Sequence, residues 1–135
     1  MVERQRVRSG SPYEPAVGFS RAVRVGERVL VAGTGPVQPD GSCPPDATAQ
    51  AERIMEIITA ALAEAGARPE EVVRSRMLLT HAEDADAVGE VHRAHLGAAA
   101  PAATMAVVAG LADPRWRVEI EVEAVIGDDL QDISR

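Results

Sequence analysis

Apolar and polar positions along the chain fall into short runs of two clear periods. Residues 2–8 alternate and predict a strand with Arg4, Arg6 and Arg8 on one face. Residues 22–25 and 28–32 alternate again around Gly26-Glu27, the pattern of a two-residue hairpin with glycine leading the turn. From residue 47 the period lengthens. Ala47, Ala51, Ile54, Ile58, Ala61, Leu62 and Ala65 form one helical stripe, with Asp46 placed to cap its start and Gly66 to stop it. Residues 72–80 return to a strand with a β-branched start, and a second helix is predicted from Asp84 or Ala85 to Leu96, with Val88, Val91 and His95 or Leu96 inward. Residues 100–124 then read as two strands joined by a turn, the second alternating Val118, Ile120, Val122 and Ala124 with Glu119, Glu121 and Glu123. Gly, Pro and Ser punctuate residues 9–19 and 33–45, which predicts irregular segments there.

The order strand, hairpin, helix, strand, helix, hairpin predicts an α+β two-layer sandwich in which both helices cover one face of the sheet. We expect a single domain over residues 1–127, followed by an acidic C-terminal tail at 128–135. A chain of 135 residues is long enough for a core of its own. Tyr13, Phe19 and Trp116 are its only aromatics, so that core is built from branched aliphatics and alanine. No run approaches a membrane span and the N-terminus lacks the apolar core of a signal peptide, so a cytoplasmic protein with no membrane partner is expected.

Charge narrows the chemistry. All 14 basic residues are arginine, which excludes a lysine Schiff base. A net charge of −7 argues against a nucleic-acid partner. Single Cys43 has no metal or redox spacing around it. His92 and His95 lie three apart on a predicted helix but lack a third ligand at recognisable spacing, so neither a metal nor another cofactor is expected. One of Glu119, Glu121 and Glu123 can serve as a general base. Equally, the three can form the charged face of a strand, neutralised by Arg74 and Arg76 or by the N-terminal arginines. Trp116, on a polar turn, is read as the anchor of a subunit contact.

Several pieces, in order, carry a resemblance: Ser11-Pro-Tyr-Glu-Pro-Ala16; Val29-Leu-Val-Ala-Gly-Thr-Gly-Pro36; Thr48-Ala-Gln-Ala51; Val72-Val-Arg-Ser-Arg-Met-Leu-Leu-Thr80; and residues 101–125. Together they resemble the RidA (YjgF-like, Rid) family. The resemblance implies a chorismate-mutase-like fold with a mixed sheet, and a homotrimer with small-molecule clefts between subunits. It also implies hydrolysis of enamines and imines derived from amino acids, releasing ammonia and a 2-oxo acid. Ribonucleolytic activity, reported for some relatives, fits poorly with so acidic a chain. By the same resemblance Glu119 or Glu121 positions the attacking water, and Tyr13, Phe19 and Gly33 line the cleft. The arginine that clamps the substrate carboxylate falls at Ala103. A methyl group cannot form that bidentate pair, so the chain is similar to branches lacking it and an efficient 2-imino acid deaminase is not expected. Arg115 and Arg117, on the turn, are the nearest candidates in sequence to take its place, with Arg21, Arg74 and Arg76 as others, and a non-catalytic trimer binding a metabolite or partner is the alternative reading.

Overall fold

The computed structural model describes residues 2–127 and 131–134, so Asp128, Asp129, Leu130 and Arg135 of the expected tail lie outside the described residues. Six strands form one mixed sheet: β1 (Arg4–Val7), β2 (Ala22–Val25), β3 (Arg28–Thr34), β4 (Val72–Leu79), β5 (Ala102–Val107) and β6 (Val118–Val125), in the spatial order β1-β2-β3-β6-β4-β5. Two long helices, α2 (Ala47–Glu64) and α3 (Ala85–Leu96), pack on one face, and a short helix α1 (Tyr13–Val17) sits before β2.

Strand alternation separates the two faces of the sheet. Along β6 burial switches at every residue: Val118, Ile120, Val122 and Ala124 are buried toward the helices, while Glu119, Glu121 and Glu123 lie on the other side. Val29 and Val31 of β3, together with Met77 and Leu79 of β4, join the buried set. Ala51, Ile54, Ile58 and Leu62 of α2 close over it. The other face has no helix layer among the described residues, and we call it the open face. Cross-strand register places Leu30 beside Glu123, Arg76 beside Glu121 and Leu78 beside Glu119 on it.

The helix boundaries follow the capping residues. Asp46 accepts a hydrogen bond from the Ala49 N–H at 2.8 Å, and Gly66 takes the left-handed conformation (φ 89°) just beyond the end of α2. Asp46→Ala is expected to cost about 1 kcal/mol, measured as a lower midpoint in urea unfolding with an unchanged m-value.

The structure corrects two expectations. Residues 13–17 are helical rather than irregular. Gly18 closes this turn in the left-handed region (φ 92°) with its N–H on the Glu14 carbonyl, and the Glu14 side chain turns inward to be fully buried. Residues 100–124 do not form a hairpin either. β5 pairs in parallel with β4, and β6 pairs antiparallel with β3 and β4, so β4 lies between the two strands expected to be partners. The cause is the βαβ unit β4-α3-β5. A parallel neighbour needs a helical crossover, which α3 supplies, and this carries β5 to the outer edge. β6 then fills the central position, the place for a strand whose every second residue is buried and whose backbone is paired on both sides.

Candidate functional site

The end of β3, the second residue of β6 and the segment 9–21 converge at one corner of the open face. The β3–β6 register shifts between Val31 and Thr34, and across this irregularity Gly33 comes beneath the Glu119 carboxyl. A β-carbon at residue 33 would meet the Glu119 carboxyl carbon at 3.0 Å and its two oxygens at 3.2 and 3.3 Å. Glycine is required here for space, not for an unusual φ. Glu119 is half-buried and forms no hydrogen bond or ion pair with any described residue. Burial pushes its pKa above the ordinary carboxylate range, the neighbouring Glu121 adds to the rise, and the positive charge of Arg21 opposes it.

Arg21 is buried just before β2. Its NH1 donates to the Gly33 carbonyl at 2.7 Å and to Thr34 Oγ1 at 3.1 Å, its Nε donates to Ser9 Oγ at 3.3 Å, and NH2 lies 3.7 Å from Glu14 Oε2. Glu14 in turn accepts from the Ser9 N–H at 3.1 Å and from the Ser9 hydroxyl. The Arg21 guanidinium stands 5.4 Å from the centroid of the half-buried Phe19 ring. Burial lowers the Arg21 pKa, which Glu14 and then Glu119 offset.

Tyr13, on α1, is partly exposed and meets the Trp116 ring edge to face at 6.1 Å. Trp116 is buried within its own chain rather than presented on the surface as the turn composition suggests. Its indole lies so close over Gly35 that a β-carbon there would come within 2.4–2.6 Å of three ring atoms.

The remaining candidates sit elsewhere. Glu121 is exposed and bound to Arg76 at 2.7 Å, and Glu123 lies 3.7 Å from Arg28, so much of the acidic ladder is neutralised across strands. Ala103 is exposed on the edge strand and pairs with Ser75, which pairs with Val122. That register puts it two strands from β6 and three residues along from Glu119, about 10 Å in each direction, and on the helix side of the sheet. One chain therefore does not bring Ala103 and Glu119 together. Arg115 uses its Nε and NH2 on Asp113 and its NH1 on the Gly41 carbonyl, and Arg117 is held by Asp84 and Glu83. His92 binds Ser75 Oγ at 2.7 Å while His95 binds Glu52 at 2.8 Å, so the two do not converge on a metal. Burial lowers the His92 pKa.

The surface cavities among the described residues include one of about 410 Å³ on the open face around Leu30, Arg74 and Arg76, and one of about 580 Å³ around His81, Asp113 and Trp116. Glu119 lines neither. Sequence reasoning overlooked Gln50. Its buried amide donates to the Pro44 and Arg115 carbonyls, both at 2.9 Å, and accepts from the Arg117 N–H at 2.7 Å, fixing the approach to β6. A polar residue set between Ala47 and Ile54 on an apolar stripe was the available signal.

The description Endoribonuclease L-PSP belongs to a family whose model matches residues 10–126 of this chain. The chain belongs to this family, the YjgF/RidA family. An uncharacterized protein of Streptomyces coelicolor is 41% identical over 126 residues, covering 91% of this chain and 92% of that protein. A solved YjgF/YER057c/UK114 family member from Mycobacterium tuberculosis superposes with a TM-score of 0.85 at 40% identity, over 92% of this chain and 100% of that one. RidA from an Antarctic Psychrobacter gives a TM-score of 0.78 at 28% identity, over 93% and 98%. The fold shared with these YjgF/RidA neighbours is the chorismate-mutase-like one, and the family read from the motifs is the family found.

Proposed function

We propose that this chain is a Rid-type small-molecule cleft protein, acting as a cytoplasmic homotrimer, that hydrolyses an enamine, an imine or a related carbonyl compound with no strong carboxylate requirement. The observation that carries this reading is Glu119. It is a half-buried carboxylate seated over Gly33, without an ion pair of its own among the described residues and with a raised pKa. Such a group accepts a proton from a water molecule aimed at a C=N carbon. Water adds to the carbon, the proton passes to nitrogen, and the resulting carbinolamine expels ammonia to leave a carbonyl. Glu121 is less suited to the task because Arg76 holds it in the open.

The trimer is favoured because Glu119 lies at an open corner, outside the two cavities described above, and Ala103 lies two strands away on the edge strand β5, on the helix side of the sheet. A cleft uniting the two positions needs a second copy. Of the arginines that could take the place of the missing clamp, Arg21, Arg115 and Arg117 are engaged by carboxylates within their own chain and Arg76 is paired with Glu121, whereas Arg74, which lines the open-face cavity, forms no ion pair with a described residue.

The test is to assay ammonia and carbonyl release from 2-aminoacrylate and from an uncharged imine. Turnover of the uncharged imine above that of 2-aminoacrylate is expected, and no turnover of either by the intact assembly would refute hydrolysis. Ala103→Arg is expected to raise 2-aminoacrylate turnover at least tenfold by restoring a charge-assisted pair. The second reading, a non-catalytic binder of a metabolite or partner, draws on Ala103 itself. It predicts ligand-induced thermal stabilisation, lost in Tyr13→Phe, with no product formed.

A further inference from the structure

Four parts of the proposed cleft meet at one side chain. α1, which carries Tyr13, is tied through Glu14; the preceding loop through Ser9; the end of β3 through the Gly33 carbonyl and Thr34 hydroxyl; and Phe19 through its ring face. The shared partner is the Arg21 guanidinium, buried with Glu14 and within electrostatic range of Glu119. We propose that Arg21 is the positioning residue of this cleft: its guanidinium registers the Tyr13 helix against Gly33, and Glu14 and Glu119 compete for its charge. This rests on Glu119 being the functional carboxylate, but it is tested without turnover.

The geometry supports a role beyond holding the fold together. A purely structural ion pair would need only Glu14 and Arg21. Here the fork spends both NH1 contacts on the strand end that makes room for Glu119, one of them on the carbonyl of Gly33 itself. Few other charges compete. On β6 Glu121 is two residues away and bound to Arg76 of β4; the β4 residue opposite Glu119 is Leu78; and β3 contributes only the Gly33 backbone. Arg21 is therefore the cation that Glu119 feels, and Glu14 is the anion that draws on the same cation.

Opposite predictions follow for the two carboxylates' partners. In protein labelled with 13C at the glutamate carboxyls, Glu119 is assigned by the resonance lost in Glu119→Gln. Its titration midpoint is expected to fall in Glu14→Gln, where the competing anion is gone. It is expected to rise by about one pH unit in the double variant Glu14→Gln/Arg21→Gln, where the cation is gone and no buried carboxylate is left unpaired. A midpoint that stays put in both folded variants would overturn the proposal and leave Arg21 with a packing role alone. Should the double variant fail to fold, Glu14→Gln decides: a fall supports the proposal and an unchanged midpoint overturns it. If the midpoints move as expected while no imine is hydrolysed, the positioning role stands and the hydrolase reading fails.

Discussion

Glu119→Gln is expected to slow hydrolysis of a small uncharged imine by about 10²- to 10⁴-fold, the usual worth of a general base. Glu121→Gln, by contrast, should leave the rate within a few-fold of the parent. The contrast tests the division of labour between two carboxylates on the same face of one strand. Glu121 already spends its charge on Arg76 at 2.7 Å, so its removal disturbs an exposed ion pair of small energetic value. Glu119 has no such partner among the described residues and stands over the residue whose missing side chain makes room for it. The pH profile should carry the same signature. A general base works only when deprotonated, so kcat/KM should rise with pH. Because burial and Glu121 raise the Glu119 pKa, that ascending limb should lie above the ordinary carboxylate range. Stopped assays across pH 4 to 8, on both variants and the parent protein, would show whether the limb belongs to Glu119. Equal losses in the two variants would refute the assignment.

The second large effect concerns packing. Gly35→Ala should destabilise the protein by about 3 kcal/mol, the upper end of ordinary overpacking, lowering the melting temperature by roughly 10 °C. The added methyl would fall within 2.4–2.6 Å of three Trp116 ring atoms, and that ring is buried and braced by Tyr13 at 6.1 Å. A rigid ring has no flexible end to swing aside. Trp116→Leu removes the obstruction, so the double variant Gly35→Ala/Trp116→Leu should cost clearly less than the sum of the two single changes. Urea unfolding of all four proteins gives the coupling directly. Strict additivity would show that the turn moves away as a body, and the packing account would fall.

What the sequence revealed and what it hid follows from the range of each interaction. The β2–β3 hairpin, the α2 stripe with its Asp46 cap and the inward set of β6 depend on neighbours within a few residues, and alternation or helical period reports them. The partners of β5 and β6 depend on where α3 carries the chain. No local pattern records that, so two strands adjacent in sequence read as a hairpin although β4 separates them. The site divides in the same way. Glu119, Gly33 and Tyr13 were visible as positions in motifs, but alternation alone left Glu119 and Glu121 equivalent. The Gly33 contact and the Arg76 pair distinguish them, and both are cross-strand facts. Arg21 was visible only as one of several arginines that could stand in for the clamp, and Glu14 only as part of a motif, because each looks like an ordinary loop charge until the buried pair between them is seen.

The central place of β6 bears on how the molecule is made. β1, β2 and β3 form one antiparallel group, and β4, α3 and β5 form another. Among the described strands β6 alone is hydrogen-bonded to both groups. During synthesis each group can fold as its own residues emerge from the ribosome, yet neither can dock its exposed edge until residues 118–125 arrive. Until then the nascent protein carries two unfilled β edges, on β3 and on β4, and chaperone engagement should be greatest in that interval.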